Sequence, residues 1–179
     1  MNETAKKKIL PLSLTALILL LDQGVKAFIV KNWPNEGLIN DVFNNGFLYI
    51  FHVRNKAIAF SLGHNLPGQA RFVLFTIAPI LVLGFLFWYY LKSQDFTRLQ
   101  RWAVAGILGG GLGNLIDRVF RPDGVVDFIS VKFYGILGME RFPTFNVADS
   151  SIVICCILFF ISIIKSPGIA EKTPEPGAR

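Results

Sequence analysis

Asp127 and Asp149 are two carboxylates that an otherwise apolar chain carries beside its membrane-length segments. They lie in Val125-Val126-Asp127-Phe128-Ile129 and Phe145-Asn146-Val147-Ala148-Asp149, and no Lys or Arg adjoins either one in sequence. Two carboxylates brought together are costly unless they share a proton. A shared proton leaves one group able to take a proton from water and the other able to polarise a carbonyl. Other polar residues are spaced to join them. Asp22 and Lys26 are one helical turn apart, and Asn114, Asp117 and Arg118 follow the i, i+3, i+4 spacing that aligns side chains on one helix face. Asn146 precedes Asp149 by three residues. Each of these also has a structural reading: Asp22 with Lys26 and Asp117 with Arg118 as ion pairs, and Asn146 as a helix cap.

The elements that must position these groups are membrane helices. Of 179 residues, 53% are hydrophobic and 17% charged, and the mean hydropathy is +0.50, a balance expected of an integral membrane protein. Four windows are long enough to cross a bilayer: Ile9 to Val30, Phe72 to Leu91, Trp102 to Phe120 and Val147 to Ile164. The first resembles the start of a secretory signal, but it is long and ends in Asp22-Gln23-Gly24-Val25-Lys26 without a small-x-small cleavage site, so it is read as retained. Bases are dense at Lys6 to Lys8, at Lys92, Arg98 and Arg101, and at Lys165, Lys172 and Arg179, which places both termini on the cytoplasmic side. That orientation brings Asp22, Lys26, Asn114, Asp117, Arg118, Asn146 and Asp149 to one outer depth. Ionisable groups there are expected to face the bundle interior and to serve function.

Outside the helices, Phe47 to Val53, Ala57 to Leu62 and Val125 to Phe133 are rich in aromatic and β-branched residues and read as strands lying against the outer leaflet. The expected fold class is a membrane all-α four-helix bundle with a small extracytoplasmic β-sheet. It forms a single domain over 1–166, with strand insertions at about 43–66 and 122–143 and a polar cytoplasmic tail over 167–179.

Several functions are excluded on composition. The net charge of +6 comes without a Lys/Arg run interleaved with aromatics, so no nucleic-acid surface is expected. Cys155 and Cys156 are adjacent in an apolar stretch, and His52 and His64 lack ligand spacing, so no metal site and no cofactor are expected. Gly106, Gly109, Gly110, Gly111 and Gly113 read as a close-packing surface, since no Lys-Ser/Thr follows them as in a phosphate loop. Pro79 marks a kink in the second helix, which carries no polar site residue, and Trp88-Tyr89-Tyr90 suits an interfacial aromatic belt.

Asp22-Gln23-x-x-Lys26, Asn55-x-x-x-Ala59-Phe60-Ser61, Gly113-Asn114-Leu115-Ile116-Asp117-Arg118, Val125-Val126-Asp127-Phe128 and Phe145-Asn146-Val147-Ala148-Asp149 resemble, in order, the five sequence blocks of bacterial signal peptidase II, over roughly residues 15 to 165. Two departures stand out: Ala57-Ile58 where the family usually has Gly-Ala, and a stretch from Val119 to Gly124 about one residue longer than usual. The resemblance implies an aspartic endopeptidase of the bacterial inner membrane. It would remove signal peptides from diacylglyceryl-modified prolipoproteins by cutting before the lipidated cysteine, acting as a monomer among membrane lipids. It implies Asp127 and Asp149 as the catalytic pair. Asn55, Asn114, Arg118 and Asn146 would position substrate or pair, and Asp22, with Lys26 and Asp117, would support the site. Two other classes remain at this point. One is a proton-coupled transporter relaying through Asp22, Asp117, Asp127 and Asp149, which the gathering of polar groups at one end and the lack of an inverted repeat disfavour. The other is a non-catalytic membrane adaptor.

Overall fold

Helices long and apolar enough to cross a membrane occupy Lys6–Asn32, Gly68–Lys92, Arg98–Phe120 and Val147–Lys165, close to the windows that hydropathy picks out. They are seen in a computed structural model that describes residues 3–55 and 66–165. The expected strand at Ala57 to Leu62, the block Ala59-Phe60-Ser61, His64 and the tail over 167–179 lie outside the described residues. The first span consists of α1 (Glu3–Ile9) and α2 (Leu12–Asn32). Pro11, with no amide proton to give to a helix ladder, stands at their join. The second runs from α3 (Gly68–Phe72) through a π-helical turn at Val73–Ile77 into α4 (Ala78–Lys92). Pro79 falls in the first turn of α4, where a missing N–H costs least. The irregularity expected at this proline is therefore taken up by the π-turn before it.

The third span, α5 (Arg98–Phe120), is the hub. Over half of its apolar window is buried, 56%, against 11% to 22% for the other three, and it packs on α2, α4 and α6 (Val147–Lys165). Its glycines explain how. A Cβ on Gly110 would collide with the Ala148 carbonyl and the Ser151 hydroxyl, and one on Gly113 would lie 2.7 Å from an Asp22 carboxylate oxygen and 3.2 Å from the Ala148 Cβ. Only glycine allows α2 and α6 to approach α5 so closely. Cys155 is buried on this seam, under Gly106.

A three-stranded antiparallel sheet, in the order β1 (Gly37–Asp41), β2 (Leu48–Asn55) and β3 (Val125–Val131), caps one end of the bundle. Strands β2 and β3 fall inside the expected insertions, whereas β1 begins before them. Asn44 (φ 52°) and Gly46 (φ 74°) take the left-handed backbone conformation in the turn that reverses the chain between β1 and β2. The sheet is anchored to the protein. Val126 and Phe128 of β3 form a buried cluster with Ile29 of α2, against which Ile39, Ile50 and Val147 pack. His52 is fully buried: its Nδ1 meets the Trp33 carbonyl at 2.6 Å, and its Nε2 accepts from Arg54 at 3.1 Å. It therefore fastens β2 to the end of α2.

At the other end of the bundle Trp88 and Tyr89 are exposed, as a belt requires, but Tyr90 is fully buried and its hydroxyl donates to the Lys8 carbonyl at 2.6 Å. An amphipathic ring with a partner for its hydroxyl belongs inside.

Candidate active site

Lys26 lies at the centre of the polar cluster. Its ammonium is fully buried and uses each of its three donors: on Asp22 at 2.8 Å, on Asp117 at 3.0 Å and on the Asn114 side-chain oxygen at 3.0 Å. Helix spacing brings Asp22 to Lys26 (i, i+4), and α5 supplies the other two partners across the seam that Gly113 opens. The carboxylates also tie down backbone. Asp22 accepts from the Ala148 amide at 3.0 Å and Asp117 from the Val126 amide at 3.1 Å. The starts of α6 and β3 are thereby fixed to α2 and α5. A buried cation with this many ligands is satisfied, and removing any one partner would leave a buried charge exposed to its neighbours.

Asparagines pass this order outward. Because Lys26 and Asn146 both donate to the oxygen of Asn114, its amide nitrogen is turned to Asp149, 2.6 Å away. Asn146 caps α6: its side-chain oxygen accepts from the Asp149 amide at 2.9 Å, and its own amide donates to Asp149 Oδ2 at 3.2 Å. That cap leaves the Asn146 Nδ2 free to donate to Asp127 Oδ1 at 2.7 Å. The cap and the contact with Asp127 are thus made by different atoms of Asn146. On the far side Asn55 donates to Asp127 Oδ2 at 2.9 Å. Strand register places it there: Val53 faces Asp127 and Asn55 faces Val125, so Asn55 is the diagonal neighbour of Asp127 on the same sheet face.

Both carboxylates thus accept from asparagine nitrogens and retain lone pairs for a water or a substrate. Asp127 is only 2% exposed, and this burial pushes its carboxyl up to about 7. The Asp149 charge adds to the rise, and the bonds from Asn55 and Asn146 oppose it. Near neutral pH such a group exchanges its proton readily.

The pairing of Asp117 with Arg118 is not formed. Asp117 is held by Lys26 and by Arg121, one turn further on at 3.0 Å. Arg118 instead lines a cavity of about 220 Å³ together with Asn55, Arg71, Thr76 and Arg121, within electrostatic reach of Asp149 and Asp127. Arg71 and Thr76 show that the second span does contribute polar groups to this region. Arg71 stands one residue before the apolar window, where the sequence marks it only as a basic flank. Gln23, part of the first family block but not among the expected site residues, bridges through its amide Asp22 at 3.1 Å, the Gly113 carbonyl at 3.0 Å and Asp117 at 3.0 Å. Its place next to Asp22 was the available signal, as the i, i+4 spacing from Asp117 was for Arg121.

A family model described as Signal peptidase (SPase) II matches residues 14–165. The chain belongs to the signal peptidase II family. A Treponema denticola lipoprotein signal peptidase is 50% identical over 166 residues, covering 91% of this chain and 92% of that one. The Treponema pallidum protein of the same description is 43% identical over 174 residues, covering 95% and 91%. Among solved structures, a bacterial membrane enzyme determined by the in meso method at 2.3 Å resolution aligns with a TM-score of 0.74 at 28% identity and 94% coverage of each chain. As a signal peptidase II with four membrane-length helices, the chain is a multi-pass inner-membrane protease, and the transporter and adaptor readings fall away.

Proposed function

We propose that Asp127 and Asp149 are the water-activating pair with which this signal peptidase II removes the signal peptides of prolipoproteins, cutting on the amino side of a diacylglyceryl-modified cysteine. The observation that carries the reading is the double engagement of Asn146, whose side chain donates to Asp127 and whose backbone donates to Asp149. One residue thereby couples carboxylates from a strand and a helix.

With a single proton between them, the ionised carboxylate takes a proton from a water as its oxygen attacks the scissile carbonyl carbon, while the protonated one donates to the carbonyl oxygen. Collapse of the resulting gem-diol breaks the C–N bond as the first carboxyl protonates the amide nitrogen and the second carboxylate takes the proton of a diol hydroxyl, which returns the pair to its one-proton state. Its titration belongs to the pair jointly. Asn55, Asn114 and Asn146 hold the carboxylates, Lys26 with Asp22 and Asp117 supports Asn114, and Arg118 with Arg71 borders the cavity that would receive substrate backbone. Residues 1–166 act as one domain, a monomer among membrane lipids, with both termini cytoplasmic and the carboxylates toward the outer face, where the acyl chains of the substrate can stay in the bilayer.

The experiment is cleavage of matched membrane-inserted peptides, with and without diacylglycerol on the cysteine, by the wild type and by Asp127→Asn and Asp149→Asn. Turnover by either variant should fall by about 10³-fold or more, near the top of what proton transfer contributes, while the fold is kept. Wild-type rates in either variant would overturn the pair, and equal specificity constants for the two peptides would remove lipid recognition alone. For orientation, Asn40→Cys or Lys132→Cys in a background lacking Cys155 and Cys156 should react with an impermeant thiol reagent in intact spheroplasts. Labelling only after lysis would reverse the topology.

A further inference from the structure

The end of the bundle opposite the carboxylate pair encloses a second cavity, of about 570 Å³. Five cations line it, Lys6, Lys7, Lys8, Arg98 and Arg101, and among the described residues that line it none is acidic. Its remaining wall is largely apolar, with Leu10, Phe96 and Trp102. Proteolysis as described above uses none of these groups.

The cavity is a built feature. Lys8 donates to the Leu91 carbonyl at 2.6 Å and its own carbonyl accepts from the Tyr90 hydroxyl at 2.6 Å, so α1 is fastened to the end of α4. Arg101, 6% exposed, donates through Nη2 to the Ser93 carbonyl at 3.1 Å. Its guanidinium is held against the rings of Tyr90 and Phe96, 5.7 and 5.8 Å from their centroids. Its Nη1 is buried with no hydrogen-bond partner among the described residues. A buried guanidinium N–H without an acceptor is destabilising, and like charges gathered this closely repel one another. Both costs are removed by an anion that brings several acceptor oxygens.

We propose that this cavity binds the phosphodiester headgroup of an anionic phospholipid, with Arg98 and Arg101 as the ligands of the phosphate. A lipid fits better than a free anion because the cavity lies at the ends of membrane-length helices and its lining residues Leu10 and Arg98 have exposed apolar chain neighbours in Ile9 and Leu99, beside which acyl chains can run. Arginine presents paired donors to phosphate oxygens, and basic pockets at helix ends recognise anionic headgroups by this chemistry. The bound lipid would join α1 to α4 and α5 and fix the depth of the bundle, independently of the peptidase reaction.

The test is native mass spectrometry of the full-length protein released from nanodiscs that contain phosphatidylglycerol and phosphatidylcholine in equal amounts. Phosphatidylglycerol should be retained preferentially. Arg98→Gln and Lys7→Gln, which change exposed residues, should each lower that retention roughly fivefold, the scale of one basic residue near an anionic surface. Arg101→Gln should lower it at least as much, and where that variant fails to fold the two exposed substitutions carry the test. Lys132→Gln, beyond the sheet at the other end, should leave retention unchanged. Equal retention of the two lipids, or the same loss in Lys132→Gln, would overturn the proposal. Displacement of the lipid by soluble glycerol phosphate at matching concentration would also overturn it and assign the cavity to a free phosphate.

Discussion

Helices α5 and α6 begin with the same local device and put it to different ends. At α5, the Thr97 hydroxyl accepts from the Gln100 amide at 3.2 Å and the Thr97 amide donates to the Gln100 side chain at 2.9 Å. At α6, Asn146 and Asp149 make the same reciprocal pair at 2.9 and 3.2 Å. The difference lies in the atoms left over. The spare capacity of Thr97 goes to the Ser162 hydroxyl at 3.2 Å, a neutral tie between helices. Asn146 has an amide nitrogen left for Asp127, and Asp149 has a second oxygen left for Asn114. A capping box satisfies the helix start in both places. Only at α6 are the surplus atoms a carboxylate oxygen and the amide that holds a second carboxylate.

The strongest way to break this comparison is to remove the support that α6 has and α5 lacks. Lys26→Met leaves Asp22 and Asp117 buried without their cation, and Asn114 without the bond that turns it toward Asp149. Thermal or denaturant unfolding in detergent should show a loss of about 3–5 kcal/mol, with cleavage reduced in whatever protein remains folded. Stability unchanged within error would mean that the buried cluster is not the keystone of this end of the bundle.

A sharper cut separates cap from holder. Asn146→Ser keeps a cap oxygen for the Asp149 amide but removes the donor to Asp127. Its melting temperature should stay near that of the wild type while kcat falls by roughly up to 10²-fold, as expected of a small misplacement of reacting groups. Thr97→Ala should behave in the opposite way, costing about 1 kcal/mol of stability with kcat unchanged. Loss of stability without loss of turnover in Asn146→Ser would make the two caps equivalent.

The smallest expected effect is in the pH profile. The Asp127 carboxyl stands at about 7, above its ordinary range, so the fold favours its protonated form. That contribution is complete below the ordinary carboxylate range and is lost as pH rises through about 7. The one-proton pair should therefore fail on the alkaline side. Asn55→Ala removes a bond that holds this carboxyl down, so the alkaline limb of kcat/KM should move to higher pH. A limb that does not move would show that Asn55 does not act on this carboxyl.

Much of this was legible before the structure because membrane sequences are strongly constrained. Hydropathy located the spans to within a few residues, since twenty apolar residues in water have few alternatives. Asp22 with Lys26 was readable as an ion pair because helix periodicity fixes that contact. Where contacts cross between elements, adjacency misled. Asp117 chose Arg121 over its neighbour Arg118, because successive residues on a helix point to different faces. Strand β1 was unexpected because Gly37–Asp41 has little β-branched or aromatic content, and its pairing with β2 supplies what its composition does not. Tyr90 looked like a belt residue and is core, since a partner for its hydroxyl lies on α1.

The sequence by itself determined that this chain spans a membrane, which ionisable residues gather at one end of its spans, and that the blocks Asp22 to Lys26, Gly113 to Arg118, Val125 to Phe128 and Phe145 to Asp149 resemble signal peptidase II in their order. Only the tertiary structure decided what each polar atom meets. Lys26, Asn114 and Asn146 form a connected set because Gly109 and Gly110 let α2 and α6 close to backbone distance on α5, and Asn55 joins it because the β2–β3 register sets it diagonal to Asp127. The physical reason is range. Burial and helix periodicity are written in local sequence, whereas a hydrogen bond is made or lost within a few tenths of an ångström, a precision that only packing between distant segments sets.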